Sequence, residues 1–304
     1  SNEKALQKLE DNKIALLIHI PENFSVSAQN GESAELNFTV NEASATMVSS
    51  SMNTIVNEIN TQLSTSFSTQ TAQGILMNMN VPEEQAAAMA QQIDNAYVGN
   101  YVIINDVPDG MHNSMLPMFL TMAGYVGAMI AAMQLVQVYK HNRGKASRFK
   151  LFGYVQLSAL IIAIVSTIFA LITAYLITDL DTAVMLKLAG QQILVYMAAF
   201  NVCAIFTFLI GEAGMILNIP VLLSQTIANG ATMPREMMYS YFEVVSYITP
   251  MYHAVNAYLA VMFGSTDASP FIWGLVAVFL GALLINLIVV TVLHRKEPEP
   301  RPVI

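Results

Sequence analysis

The chain reads as an all-α polytopic membrane protein carrying a small α+β extracytoplasmic domain. Three observations predict this. Of its 304 residues 55 % are hydrophobic and only 11 % charged, against ~25 % charged in a soluble domain, too few to cover a water-facing surface of that size. Mean hydropathy is +0.51. The polarity is also segregated: residues 1–112 carry 13 Asp/Glu against Lys4, Lys8 and Lys13, so the net charge of −8 comes from the front of the chain. That acidity argues against nucleic acid or an anionic membrane surface as a partner for this end.

Within residues 1–112, Ile14–Ile20 and Glu35–Val40 read as strands around a Pro/Asn/Gly turn region. Val48, Met52, Ile55, Ile59, Leu63 and Phe67 recur at helical spacing. Pro82 opens a second helix, PEEQAAAMAQQI, with Glu83 and Glu84 in its first turn. Residues 101–104 read as a third strand. The Ser/Thr/Asn/Gln-rich face over 44–73 is either a solvated helix face or a partner-binding one.

The second part, 113–296, contains five uncharged apolar stretches, at about 115–138, 153–178, 188–211, 213–230 and 269–293. A bilayer core of ~30 Å needs ~20 such residues, and one mid-span charge costs ~2.5–3.5 kcal/mol. The stretch 213–230 is the weakest, being short and holding Asn218, Pro220, Ser224 and Gln225. Between the first two spans lies KHNRGKASRFK, with Lys140, Arg143, Lys145, Arg148 and Lys150 and no acid; His294, Arg295 and Lys296 follow the last span. An even number of spans separates these segments, so the positive-inside rule makes both cytoplasmic, with the tail 297–304. Residues 1–112 and about 231–268 then lie outside, which requires a sixth helix ahead of Ser1.

Enzyme readings find no footing. There is no G-x-x-x-x-G-K-[ST] or G-x-G-x-x-G phosphate loop, no H-E-x-x-H, C-x-x-C or G-x-S-x-G, and the five histidines are widely separated. A lone Cys203 excludes an internal disulfide. No metal or cofactor is expected on this chain. Polar residues in or beside spans remain. Glu212, in Gly211-Glu-Ala-Gly214, is an interfacial carboxylate at a tight hairpin or a gating group. Asn201, Asn218 and Gln225 either line a pathway or bond helix to helix. The small residues Gly124, Gly127, Ala128 and Ala131 suit close helix packing. Residues 231–264 read as an outer amphipathic or re-entrant segment, with Pro234 and Pro250 bracketing a helix of about four turns. Its apolar face is Met237, Met238, Tyr241, Phe242, Val245 and Ile248; Arg235, Glu236 and Glu243 are its polar positions, and His253 follows.

Four motifs resemble the type-2 ABC exporter permeases, and within them the phage-infection-protein (YhgE/Pip) branch. They are Ile20-Pro-Glu-Asn-Phe-Ser25; His112-Asn-Ser-Met-Leu-Pro-Met-Phe119 with Tyr125-Val-Gly127; Gly211–Gly214 with Leu223-Ser-Gln225; and Asn229-Gly230, Met233-Pro-Arg-Glu236 and Pro250-Met251. Tyr252-His253 stands where that branch has Thr-Tyr, and Leu259-Ala260 where it often has Arg-Glu. The resemblance implies a six-helix permease half, paired as a homodimer or heterodimer in a bacterial cytoplasmic membrane among lipids. ATP and Mg²⁺ would be bound by a separate cytoplasmic ATPase, and an amphipathic substrate would move outward. In this reading the basic 139–150 loop couples to the ATPase, and Pro234, Glu236, Phe242, Pro250 and His253 form an outer gate. As a plainer alternative the basic loop only fixes topology. The rival for the whole chain is a surface receptor for phage or a secretion scaffold.

Overall fold

The computed structural model describes residues 2–30, 34–78, 82, 97–108, 110–178, 181–264 and 266–294. The chain divides into two compact units, Ser1–Asp106 and Val107–Ile304.

The first unit is built on a three-stranded sheet in the order β1 (Leu16–His19), β2 (Ala34–Asn41), β3 (Tyr97–Ile104), with β1–β2 antiparallel and β2–β3 parallel. Parallel neighbours need a crossover connection, and the long helix α3 (Thr46–Asn78) lies between them in sequence. Alternation along β2 turns Leu36, Phe38 and Val40 to one face, where Met52, Val56, Ile59, Leu63 and Phe67 of α3 pack with Tyr97. Ile55, expected on that face, stays exposed; Val56, one residue on, takes the inward position. The stretch expected as a turn holds a short helix, α2 (Phe24–Asn30), whose Phe24 ring meets Phe67 edge-on at 5.4 Å.

An N-terminal helix, α1 (Asn2–Glu10), carries no strong sequence signal. Nine residues are too few to hold a helix alone. Tertiary contact holds it instead, through buried Leu9 and through Asn41, whose Nδ2 donates to the Leu9 and Glu10 carbonyls at 3.2 Å. The helix expected after Pro82 lies outside the described residues, as do Arg295, Lys296 and the tail.

The second unit is helical: α4 (Met111–His141), α5 (Arg148–Ile177), α6 (Thr182–Ile210), α7 (Gly214–Ile227), α8 (Ser240–Ile248), α9 (Pro250–Phe263) and α10 (Ser269–Val292). Among the described residues four stretches are long and apolar enough to cross a membrane, and the third, Thr182–Ile227, contains both α6 and α7. The expected span 213–230 thus corresponds to α7, whose 14 residues reach only ~21 Å at 1.5 Å each. The apolar window of that third stretch is 61 % buried, against 17 % for α5 and 28 % for α10. α6 is therefore the central post, and α5 and α10 show most of their surface outward. Small residues let α4 approach α6: Gly124 lies against Gln192, and Ala128, Ala132, Ala199 and Ala204 are fully buried.

Two glycines make the α6–α7 hairpin for different reasons. Gly211 ends α6 at φ +78°, where only glycine is at ease. At Gly214 a Cβ would strike the Phe206 carbonyl, so α7 folds back in backbone contact with α6.

Between Pro234 and Pro250 the expected four-turn helix is split. Arg235–Met237 forms a 3₁₀ turn, Met238 and Tyr239 are extended, and α8 begins only at Ser240. Thr249 is extended before Pro250, as a residue preceding proline prefers, and Pro250 opens α9 at a position that needs no N–H partner. On the expected apolar face Val245 is buried while Met237, Tyr241 and Ile248 face outward. α9, by contrast, buries Ala254 and Tyr258 among Leu116, Leu120, Leu188 and Leu275.

Candidate functional site

One end of the second unit gathers most of the basic residues. α4 ends at His141, and Gly144 at φ +89° turns the chain into α5. Lys140 Nζ donates to the Thr207 carbonyl at 3.0 Å, in the last turn of α6. Arg148 Nη1 donates to the Thr291 carbonyl at 3.1 Å, in the last turn of α10, and its guanidinium lies 5.0 Å from the Phe149 ring. Both cations sit at the negative pole of a helix dipole; Lys140 adds a second donor to the Thr207 carbonyl, which already accepts the Gly211 N–H. His294 joins the same cluster, with Nε2 3.1 Å from the Phe208 carbonyl and Nδ1 3.3 Å from the Tyr139 hydroxyl. Burial, then the charges of Arg143 and Lys140, push the His294 pKa down to about 4, so it is neutral near pH 7. Lys145 and Lys150 remain exposed.

Beside this cluster a cleft of about 700 Å³ runs between the end of α4 and the α6–α7 hairpin, walled by Gln137, Lys140, His141, Thr207, Gly211 and Glu212. The structure thus brings Glu212 and Lys140 to one wall, with Glu212 exposed on the 3₁₀ turn Gly211–Ala213.

The three amides singled out in the sequence are all fully buried, and they differ in bonding. Asn201 of α6 exchanges hydrogen bonds with Gln156 of α5 (3.0 and 3.2 Å) and donates to its own Met197 carbonyl; Asn286 of α10 donates to the Asn201 carbonyl at 2.8 Å. Asn218 of α7 donates to the Cys203 carbonyl at 3.0 Å, leaving its Oδ1 without a partner. Gln225 lies against the Tyr125 hydroxyl of α4, short of a well-aligned hydrogen bond. Two glutamines that sequence reasoning missed tie α6 to its other neighbours. Gln191 donates to the Ala254 carbonyl of α9, and Gln192 donates to the Leu120 carbonyl of α4 while accepting from the Tyr258 hydroxyl. Their signal was present as polar residues inside an apolar run.

In the 231–264 segment the organising residue is Arg235. Its guanidinium is sandwiched between the rings of Tyr247 (3.8 Å) and Tyr252 (3.7 Å), and Nε donates to Ser246 Oγ at 2.8 Å. The residues singled out in the sequence surround it: Pro234 precedes its 3₁₀ turn, Glu236 is exposed, Phe242 is half-buried on α8 and Pro250 is buried. His253 Nε2 lies 3.1 Å from the Tyr247 carbonyl, and its ring fills the space where a Gly274 side chain would stand. Among the described residues no three His, Cys, Asp or Glu converge on a metal-sized site.

A family model described as ABC-2 family transporter protein matches residues 1–293. No curated protein matches the chain, and no solved structure does. The match runs through both units, and the membrane helices, the capped basic end and the Arg235 segment all fall inside it: the chain belongs to the ABC-2 transporter family, as a membrane component rather than the ATPase.

Proposed function

We propose that the chain is the permease half of an ATP-driven exporter whose ATPase is a separate cytoplasmic subunit binding ATP and Mg²⁺. Two permease halves, identical or homologous, would face each other and pass an amphipathic substrate outward; among ABC-2 proteins the motif resemblance favours the phage-infection-protein branch. The observation that carries the coupling part is the basic end. Lys140 and Arg148 fasten the α4–α5 turn to the last turns of α6 and α10, so a push on that turn is delivered to two further helices at once. By the positive-inside rule this end is cytoplasmic, where an ATPase would dock, and the first unit is extracytoplasmic.

The test avoids the two cations that cap helices. Full-length protein is extracted in mild detergent and its co-purifying ATPase measured against a Lys145→Glu/Lys150→Glu variant. The expected result is an ATPase that falls at least tenfold in the variant while the chain stays folded. An ATPase unchanged by the variant would overturn the docking surface, and no ATPase in either sample would favour the receptor or scaffold.

A further inference from the structure

The cleft between the end of α4 and the α6–α7 hairpin is amphipathic, and its charges come in both signs. Lys140 is the last residue but one of α4, and Glu212 lies just past the end of α6. Both therefore stand where two spans end, the level of a bilayer's headgroups. Two residues deeper in each span, Val138 and Ile210 line the same cleft and are more than half exposed. From the hairpin α7 leads away with Ile216, Ile219, Leu223 and Ile227 exposed along one face, an apolar track beginning beside Glu212. The ammonium of Lys140 has three donors and gives one to the Thr207 carbonyl. Its Nζ lies against Gly211, 3.3 Å from where a Cβ would stand, one residue from Glu212. Among the described residues no ion pair joins Lys140 to Glu212. Positive charge continues behind Lys140, since Arg143 and Lys140 both act on His294. At about 700 Å³ the cleft has the size of an ordinary ligand site.

From this geometry we propose that the cleft holds the headgroup of a phospholipid that carries a primary ammonium, a phosphoethanolamine. Lys140 receives the phosphate and Glu212 the ammonium, while the acyl chains run over Val138, Ile210 and the outward face of α7. Basic pockets between spans take lipid phosphates, but Glu212 on the wall repels a headgroup that is only anionic. A quaternary ammonium offers that carboxylate no N–H, and so forgoes the charge-assisted hydrogen bond. The two-carbon bridge of phosphoethanolamine sets its charges side by side, so one headgroup answers both residues. Free phosphate answers Lys140 alone and leaves the apolar rim uncovered.

Full-length chain, stripped of lipid in detergent and free of ATPase, is offered phosphatidylethanolamine, phosphatidylglycerol and phosphatidylcholine in equal amounts. Native mass spectrometry reads what stays bound, and circular dichroism checks that each variant is folded. The expected result is one phosphatidylethanolamine per chain, retained about fivefold over either rival, the preference that an exposed ion pair supports. Glu212→Gln, at an exposed position, should abolish that preference and leave phosphatidylglycerol equal or ahead. Lys140→Gln, whose amide can still donate to the Thr207 carbonyl, should weaken retention of all three. Equal retention of the three lipids by the native chain would overturn the proposal, as would a preference that survives Glu212→Gln. Displacement of the lipid by excess inorganic phosphate would overturn it too, and would assign the cleft to the free ion. With no ATPase present the outcome is independent of docking through Lys145 and Lys150, and either reading can fail alone.

Discussion

Asn201 and Gln225 are both amides buried in the membrane unit, and their unequal bonding decides what each substitution does. In lipid, apolar burial gives no net drive for helices to associate, so packing and interhelical hydrogen bonds carry the load, averaging ~0.6 kcal/mol each and reaching ~1.7. Asn201→Leu removes the exchange with Gln156 and strands that glutamine, so a loss of about 1–3 kcal/mol is expected. Gln225→Leu removes only a poorly aligned contact with the Tyr125 hydroxyl, so a smaller loss than at Asn201, below about 1 kcal/mol, is expected. Reversible unfolding in mixed micelles, followed by fluorescence of the single Trp273, separates the two; equal losses would refute the contrast. His294 gives the pH dependence. Its pKa is about 4 in the folded chain and ~6.5 unfolded, so the depressed group contributes full stability above pH ~6.5. As pH falls from there toward 4 the unfolded chain takes up a proton that the folded one does not, and stability drops. Thermal midpoints from pH 8 to 4 should show this step, reduced in His294→Gln.

At the scale of elements, the stretch Arg235–Ile248 is clamped to the start of the packed helix α9 by one cation between two rings, and the interaction predicts how it moves. A desolvated cation–π pair contributes up to ~2 kcal/mol and an exposed one ~0.5–1; Arg235 is half-buried, with Tyr247 exposed and Tyr252 half-buried. Tyr252→Thr should free the Arg235–Ile248 stretch and raise amide exchange in α8 about five- to tenfold, leaving α10 unchanged. Unchanged exchange in α8 would show that the clamp holds nothing. This clamp was invisible in the sequence because Arg235 meets Tyr247 and Tyr252 only after the chain turns twice, at Met238–Tyr239 and again at Thr249. The long spans were legible, since uncharged apolar runs announce themselves without any partner. α1 and α2 were not, being short helices fixed by Asn41 and Phe67 from elsewhere in the chain. The basic loop stood out by composition, yet nothing local could tell capping Lys140 and Arg148 from free Lys145 and Lys150. That distinction is made by the ends of α6 and α10, 67 and 143 residues away.

At the scale of the molecule, the two units are stabilised by different physics and should therefore come apart under different stresses. The first unit owes its core to apolar burial of Phe38, Val40, Val56 and Tyr97 between sheet and α3, a drive that exists only in water and that urea weakens. The second unit is bonded through α6 by Asn201, Gln192, Gln191, Lys140 and His294 inside a lipid or detergent shell that urea enters poorly. Trp273, 70 % exposed near the start of α10, belongs to the second unit. In urea the expected sequence is an early transition in far-ultraviolet circular dichroism, accounting for the first unit, during which Trp273 emission stays constant. Residues 1–106 expressed without the membrane helices should show the same midpoint within about 0.3 M, because the division at Asp106 leaves each core whole. A single coincident transition, or a fragment without cooperative unfolding, would mean that the acidic unit depends on the membrane helices for its fold.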